Sequence, residues 1–458
     1  MSKLLQQALD YINRKTIEHV QNNQTPGASI SIASKNYIYL SKGYGLSDIY
    51  QRTIYTNTTQ ILLASVSKTL SGTLLCLLEK ENPGKILNAN ANLPTSVPYV
   101  SENMLVKDLI SHRAGIPEQF GSMSESLGNK RNFIINSLVN VPNRNFRNEH
   151  QYTNIPFTQG VVIGTSQVNM SLEQSYRKLF SIIGMPNTSI NFAKNKYKGY
   201  TKLDNKLDNN DFYPLFNVYV EQQISAGGIY TTAADMAKFI QFQLQQAAMP
   251  NEDRLISDDF YNGIVVRDNG MYGVGVNISY QKINDVNYKM FNHSGALINT
   301  RTVLTWIPEL DIGIFVHVNS SPSGFPEAIA QAFYLKLGGG TNEDADKLFN
   351  DVNRSFNRNI KEQLCPLAFN VPGNKQIDPA MVGKYYNKLW GGLIIDSHGF
   401  IKFTYLEAVP LYTNSKNIYK FILKDISEIP FEGTLNVSGD KLTVNYSCDT
   451  QIFYRIGL

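Results

Sequence analysis

Cysteine is scarce in this chain of 458 residues, which carries three: Cys76, Cys365 and Cys448. They are odd in number, far apart and form no Cys-x-x-Cys pair, which argues against a disulfide framework and against a zinc site built on paired thiolates. Cys76 lies in the apolar run from Leu74 to Leu78 and reads as a small core residue. Charge is also sparse, at 17% of positions, and 42 basic against 38 acidic residues leave a net of only +4. No nucleic-acid or acidic-membrane footprint follows from that balance. His19, His150, His317 and His398 stand at no ligand spacing, so neither a metal nor a cofactor is expected. No stretch reaches the roughly 18–20 apolar residues that span a bilayer, so no transmembrane segment is expected. The N-terminal residues have helical spacing rather than a signal core. The chain therefore reads as cytoplasmic, with export by another route left open.

What is present is an ample stock of large rings, 26 Tyr and 23 Phe, enough to bury a substantial core and to exclude disorder. Residues 4–20 have the spacing of an amphipathic helix. Pro26-Gly27 marks a turn into an alternating strand over 28–33, and Tyr37–Leu40 completes a hairpin. A helix is predicted from near Ser65 to Glu79, others over 171–182 and 233–247, and two strands within 302–319. Past residue 340 the texture changes to a charged helix-like stretch. Short alternating segments then follow, punctuated by turn signals such as Gly391-Gly392 and Ser438-Gly439-Asp440. The fold class predicted is mixed α/β (α+β): an antiparallel sheet flanked by helices, followed by a small all-β barrel-like unit. The divisions fall at 1–345 for the first body, 346–375 for a linker and 376–458 for the β-unit.

Nucleophilic catalysis needs a hydroxyl, a base and donors for an oxyanion. Ser65 and Lys68 are three apart, so on a helix they share one face. A Ser in the first turn also faces the positive helix end, and a desolvated Lys can titrate low enough to act as a base. Taken alone the pair says little, since an ordinary helix N-cap explains Ser65 as well and Ser175/Lys178 repeats the spacing. The Tyr152/Asn154 triplet has decoys too, but His293-Ser294-Gly295 is the only His-x-Gly in the chain and stands just before two strands.

Together these motifs resemble the serine β-lactamase and penicillin-binding protein family, in the class C-like branch that includes D-aminopeptidases and family VIII-type esterases. The resemblance spans about residues 20–340 and adds Pro26-Gly27-Ala28, the run from Leu109 to Pro117, Gly184–Thr188 and Ser225–Thr232. The tail beyond 376 is similar to the lipocalin-like domains attached to some members. The resemblance implies a β-lactamase/transpeptidase-like fold and an acyl-enzyme on Ser65. Lys68 and Tyr152 would share a proton network, with the Tyr152 phenol pKa lowered by an adjacent ammonium. Asn154 would contact substrate or Lys68. His293, Ser294, Gly295 and Ala296 would line the opposite wall on an edge strand, and the Ser65 and Ala296 N–H groups would form the oxyanion hole.

One departure bears on the substrate. Where β-lactamases commonly have Lys-Thr-Gly, this chain has His293-Ser294-Gly295, and a neutral His offers no fixed cation for a substrate carboxylate. The function expected is a serine acyl-transfer hydrolase acting on amide or ester bonds, of D-peptidase, D-aminopeptidase or esterase type. Its substrate would be a small molecule or short peptide. A β-lactamase and a non-catalytic binding or assembly protein on the same fold are the alternatives, and a homo-oligomer is left open.

Overall fold

The computed structural model describes residues 2–191, 196–202, 212–215, 220–268, 270–363, 373, 377–415, 418–425, 430–447 and 449–456. Cys365 and Cys448, and most of the expected linker beyond 363, lie outside them.

The chain opens with helix α1 (Lys3–Gln21), whose start is fixed by Ser2: its hydroxyl accepts the backbone N–H of Leu5 at 3.2 Å. Leu5, Ala8, Leu9 and Ile12 form its buried stripe. The hairpin β1 (Gly27–Ala33) and β2 (Ile38–Asp48) follows, with β3 (Thr53–Ile54) at its margin. Six further strands return late in the chain: β4 (Val265–Arg267), β5 (Gly270–Tyr272), β6 (Asn277–Ile283), β7 (Val286–Leu297), β8 (Thr300–Ile307) and β9 (Ile312–Val318). Among the described residues they make a nine-stranded sheet in the order β3-β2-β1-β9-β8-β7-β6-β5-β4. Every pairing in it is antiparallel.

Strands β8 and β9 are buried at every residue, because helices cover both faces. Their alternation divides the core in two. Leu304, Trp306 and Phe315 point to a cluster shared with α2 (Ser67–Glu81), α3 (Ile155–Ser166), α4 (Leu172–Ile183) and α5 (Ala233–Ala248). Val303, Ile314 and Val316 point to a second cluster with α1 and α6 (Phe325–Leu337). The stretch expected to begin the linker is a helix, α7 (Asn342–Gln363), with Ala345 and Phe349 buried against that second cluster.

The β-unit is a nine-stranded sheet among the described residues, running in sequence from Gly383–Asn387 to Asp449–Ile456. Its two outer strands, Val409–Pro410 and Tyr412–Ser415, are separated in sequence only by Leu411, so the sheet curls back on itself into a nearly closed barrel. Phe403, Phe421, Tyr446 and Phe453 fill its interior. The same cluster includes Leu127, Leu215 and Val220 of the first body, with Leu297 packed against it, and Asn129 donates to the carbonyl of Trp390 at 3.1 Å. The β-unit thus braces the turn just past Ala296.

Candidate active site

Ser65 sits in a single 3-10 turn, Ala64–Val66, that runs directly into α2. Ala64 holds a left-handed backbone at φ 48°, which costs about 1–3 kcal/mol at a non-glycine residue and must be over-determined by its surroundings. Two hydroxyls of β8 supply the restraint: Thr300 donates to the carbonyl of Leu62 at 3.1 Å and Thr302 to that of Leu63 at 2.8 Å. Gly295 completes it from β7. A Cβ there would lie 2.2 Å from the Thr302 hydroxyl, 2.5 Å from the Leu63 carbonyl oxygen and 3.0 Å from the Ser65 nitrogen, so only glycine admits this approach.

Lys68 lies in the first turn of α2 and is fully buried. That turn is clamped by the reversal at Gly275, whose carbonyl accepts from the Thr69 hydroxyl at 3.0 Å. Gly275 itself has φ 72°, and a Cβ on it would stand 2.2 Å from the carbonyl oxygen of Lys68. The Lys68 amine donates to Asn154 Oδ1 at 2.7 Å and to the carbonyl of Ala226 at 3.0 Å, and it lies 4.4 Å from the centre of the Tyr152 ring. Two acceptors match the two hydrogens of a neutral amine, and among the described residues no third acceptor meets the third hydrogen of an ammonium. Burial, reinforced by the Arg267 charge, pushes the Lys68 pKa well below the ordinary lysine value, in agreement with that count.

The Tyr152 phenol pKa is pushed up to about 12, because burial outweighs the opposing pulls of Ser65 and Arg267. This corrects the expectation that a neighbouring ammonium lowers it. Lys68 is fully buried and Tyr152 half-buried, and both are shifted toward their neutral forms. His112 supports the Tyr152 ring from behind, centroids 4.5 Å apart, with its Nδ1 accepting the Thr153 N–H at 3.2 Å. Burial holds it neutral, and it does not line the cavity.

The opposite wall also differs from expectation. Strand β7 is not an edge strand: β8 and β6 flank it. Yet the ladder to β6 ends at the Asn277–Asn292 pair, so His293 to Leu297 have a β-partner on one side only. His293 is 3% exposed. Its Nδ1 contacts the Ser294 carbonyl at 2.7 Å, and a carbonyl only accepts, so the proton is on Nδ1. Nε2 then accepts from the Tyr272 hydroxyl at 3.1 Å. Burial lowers the His293 pKa to about 3.

Ser65, Tyr152, Asn154, His293, Ser294 and Ala296 converge on one cavity of about 450 Å3. Gly295 lies against Ser65 beneath it, and Lys68 is enclosed behind Tyr152 and Asn154. Four lining residues had no sequence signal: Glu118, Gln119, Arg267 and Asn277. Gln119 accepts from the Asn154 amide at 3.3 Å across 35 positions, and Arg267 donates to Asn277 Oδ1 at 2.8 Å across ten. No cavity-lining residue comes from the β-unit, and the described residues contain no cluster of His, Cys, Asp and Glu able to hold a metal. None of the described helices is long and apolar enough to cross a membrane.

The profile of the beta-lactamase family matches residues 12–338, and the chain belongs to that family. Among solved structures it is similar to the octameric penicillin-binding protein homologue from Pyrococcus abyssi. That likeness has a TM-score of 0.61 and 17% identity, over 97% of this chain and 99% of that one. A class C beta lactamase from Rhodobacter sphaeroides matches with a TM-score of 0.58 and 15% identity, over 71% of this chain and 98% of that one. At those identities the likeness shows the fold alone, and the first covers the β-unit as well. Among curated relatives, the protein named flp of Staphylococcus aureus strain N315 is 25% identical over 345 residues. That match takes in 69% of this chain and 64% of the relative's length. The teichoic acid D-alanine hydrolase of strain MRSA252 is 27% identical over 241 residues, 51% of this chain and 57% of that protein.

Proposed function

We propose that this protein is a serine hydrolase that works through an acyl-enzyme on Ser65, cleaving an amide or ester bond of D-peptidase, D-aminopeptidase or esterase type. The observation that carries this reading is the Lys68 amine, buried with its two acceptors on Asn154 and Ala226 and 4.4 Å from the centre of the Tyr152 ring. In the first step Ser65 Oγ bonds to the substrate carbonyl carbon and passes its proton to the Tyr152 oxygen, while Tyr152 yields its own proton to the Lys68 amine. The carbonyl oxygen takes up negative charge between the Ser65 and Ala296 N–H groups. On collapse the carbon–leaving-group bond breaks, and the proton returns from Lys68 through Tyr152 to the departing nitrogen or oxygen. Water repeats the sequence on the acyl-enzyme. Asn154, itself held by Gln119, holds Lys68, and both Asn154 and Gln119 border the substrate.

A D-alanyl ester falls within this substrate range, a point supported by the partial likeness to a teichoic acid D-alanine hydrolase. The test is labelling with an alkyl fluorophosphonate and with a fluorescent penicillin, wild type against Ser65→Ala. Fluorophosphonate labelling lost in Ser65→Ala, without penicillin turnover, is the expected result. Turnover of the penicillin makes the protein a β-lactamase, and labelling by neither probe makes it a binding module.

A further inference from the structure

His317 does not line the cavity, yet it connects to the turn that carries Ser65. It lies on β9 with Phe315, on the side of the sheet that faces α2, and it is fully buried. Its Nε2 stands 3.1 Å from the Thr300 hydroxyl and its Nδ1 stands 3.0 Å from the Tyr55 hydroxyl. Thr300 in turn meets the carbonyl of Leu62 at 3.1 Å. A carbonyl only accepts, so the single Thr300 proton goes to Leu62, and the Thr300 oxygen is left to accept from His317. The ring proton is therefore on Nε2, and Nδ1 accepts from Tyr55. Tyr197 agrees with this assignment. Its proton goes to the Asn299 carbonyl at 2.9 Å, so across 3.4 Å it too can only accept from His317 Nε2. Burial lowers the His317 pKa to about 3, which keeps the ring in this singly protonated form.

The direction of every link is thus fixed, from Tyr55 through His317 and Thr300 to Leu62, and all four residues are buried. The chain ends two positions before Ala64, whose left-handed backbone persists only where its surroundings over-determine it. We infer that His317 is a positioning residue for the nucleophile: by holding the Thr300 hydroxyl on the Leu62 carbonyl, it fixes the turn that presents Ser65. The inference rests on the hydrolase reading above. A hydroxyl that accepts one hydrogen bond donates a stronger one, so the chain acts as a unit in this buried place. The contact from Thr302 to Leu63 survives its loss, so the turn should loosen rather than collapse. A small displacement of Ser65 from its attack geometry is enough to slow the chemistry.

The test is a double-mutant cycle read on labelling of Ser65 by the alkyl fluorophosphonate, well below the melting temperature of every variant. His317→Phe keeps a flat ring and removes both polar links, and Thr300→Val keeps the side-chain shape and removes the hydroxyl. Each is expected to slow labelling at saturating probe about 10- to 100-fold, with the half-saturating concentration changed by less than about 2-fold. The double variant should be no slower than the slower single one, because links in series are lost only once. Where His317→Phe does not fold, Tyr55→Phe with Thr300→Val carries the same cycle. Imidazole nitrogen NMR of the wild type should place the His317 proton on Nε2. Single variants that label at the wild-type rate, a change confined to half-saturation, or effects that multiply in the double variant overturn the positioning role. A His317 ring protonated on Nδ1 overturns it as well. Each of these results, in wild-type protein that labels at Ser65, leaves the hydrolase reading standing. Wild-type protein that does not label at Ser65 overturns both.

Discussion

The Lys68 amine donates to the side-chain oxygen of Asn154 across 2.7 Å, although 86 positions separate the two residues. This contact, with that to the Ala226 carbonyl, holds the amine in a place that water does not reach, where burial pushes its pKa well below the ordinary lysine value. The site is thus organised to store a base rather than a cation, and its positive charge is placed on Arg267 instead.

Tyr152→Phe removes the hydroxyl through which the proposed relay runs from Ser65 to Lys68 and leaves the ring on which His112 and Arg267 pack. Turnover should fall about 10^2- to 10^4-fold while the melting temperature stays near that of the wild type. Steady-state kinetics with thermal melting reads both, and near-normal rates would remove Tyr152 from the relay.

Lys68→Met tests the protonation state through stability. A lysine whose folded pKa is depressed binds fewer protons folded than unfolded, so its contribution improves as pH rises through the window between the two pKa values. The difference in melting temperature, wild type minus variant, should therefore move in favour of the wild type between pH 7 and pH 10. A difference that stays flat would show that Lys68 keeps an ordinary pKa.

Gly295→Ala would drive a methyl group into the Thr302 hydroxyl, the Leu63 carbonyl and the Ser65 nitrogen. Loss of most activity is expected, with destabilisation of about 1–3 kcal/mol from forced repacking. Gly184→Ala, at φ 78° with open space around its Cβ, should cost about 1–2 kcal/mol from the left-handed backbone alone and keep its activity. Denaturant unfolding and rate measurements on the two variants separate local strain at the site from general glycine loss.

His293 is fixed as the Nδ1–H tautomer and stays uncharged until the pH approaches about 3. Imidazole nitrogen NMR should show no titration of this ring between pH 5 and 8, where an unperturbed His changes charge. Replacing it with Lys buries an ammonium beside Tyr272 and should destabilise the fold rather than create a carboxylate site. A ring that titrates near 6.5 would restore His293 as a pH-dependent wall.

Much of this was legible in the sequence because it depends on local periodicity. The helices at 3–21, 172–183 and 233–248 and the strands 27–33, 300–307 and 312–318 were all predicted within a few residues, since spacing of apolar side chains decides them. Ser65, Tyr152, Asn154 and His293 do meet in one cavity. What could not be read was the effect of burial, which reverses the expected pKa direction of Tyr152, and the half-open margin of β7, which depends on where the β6 ladder stops. Arg267 sits at the end of a three-residue strand with no motif around it, and only the packing of that hairpin against Tyr152 and Tyr272 brings it to the site.

The most direct measurement is the rate of fluorophosphonate labelling at Ser65 as a function of pH, in wild type and in Arg267→Gln. A neutral Lys68 base predicts a rate that climbs to a plateau at a pH well below the ordinary lysine value. Loss of the Arg267 charge should move that rise to higher pH, because the guanidinium helps keep the proton off Lys68. A rate still climbing beyond pH 10 in the wild type, or labelling that persists in Ser65→Ala, would contradict the account.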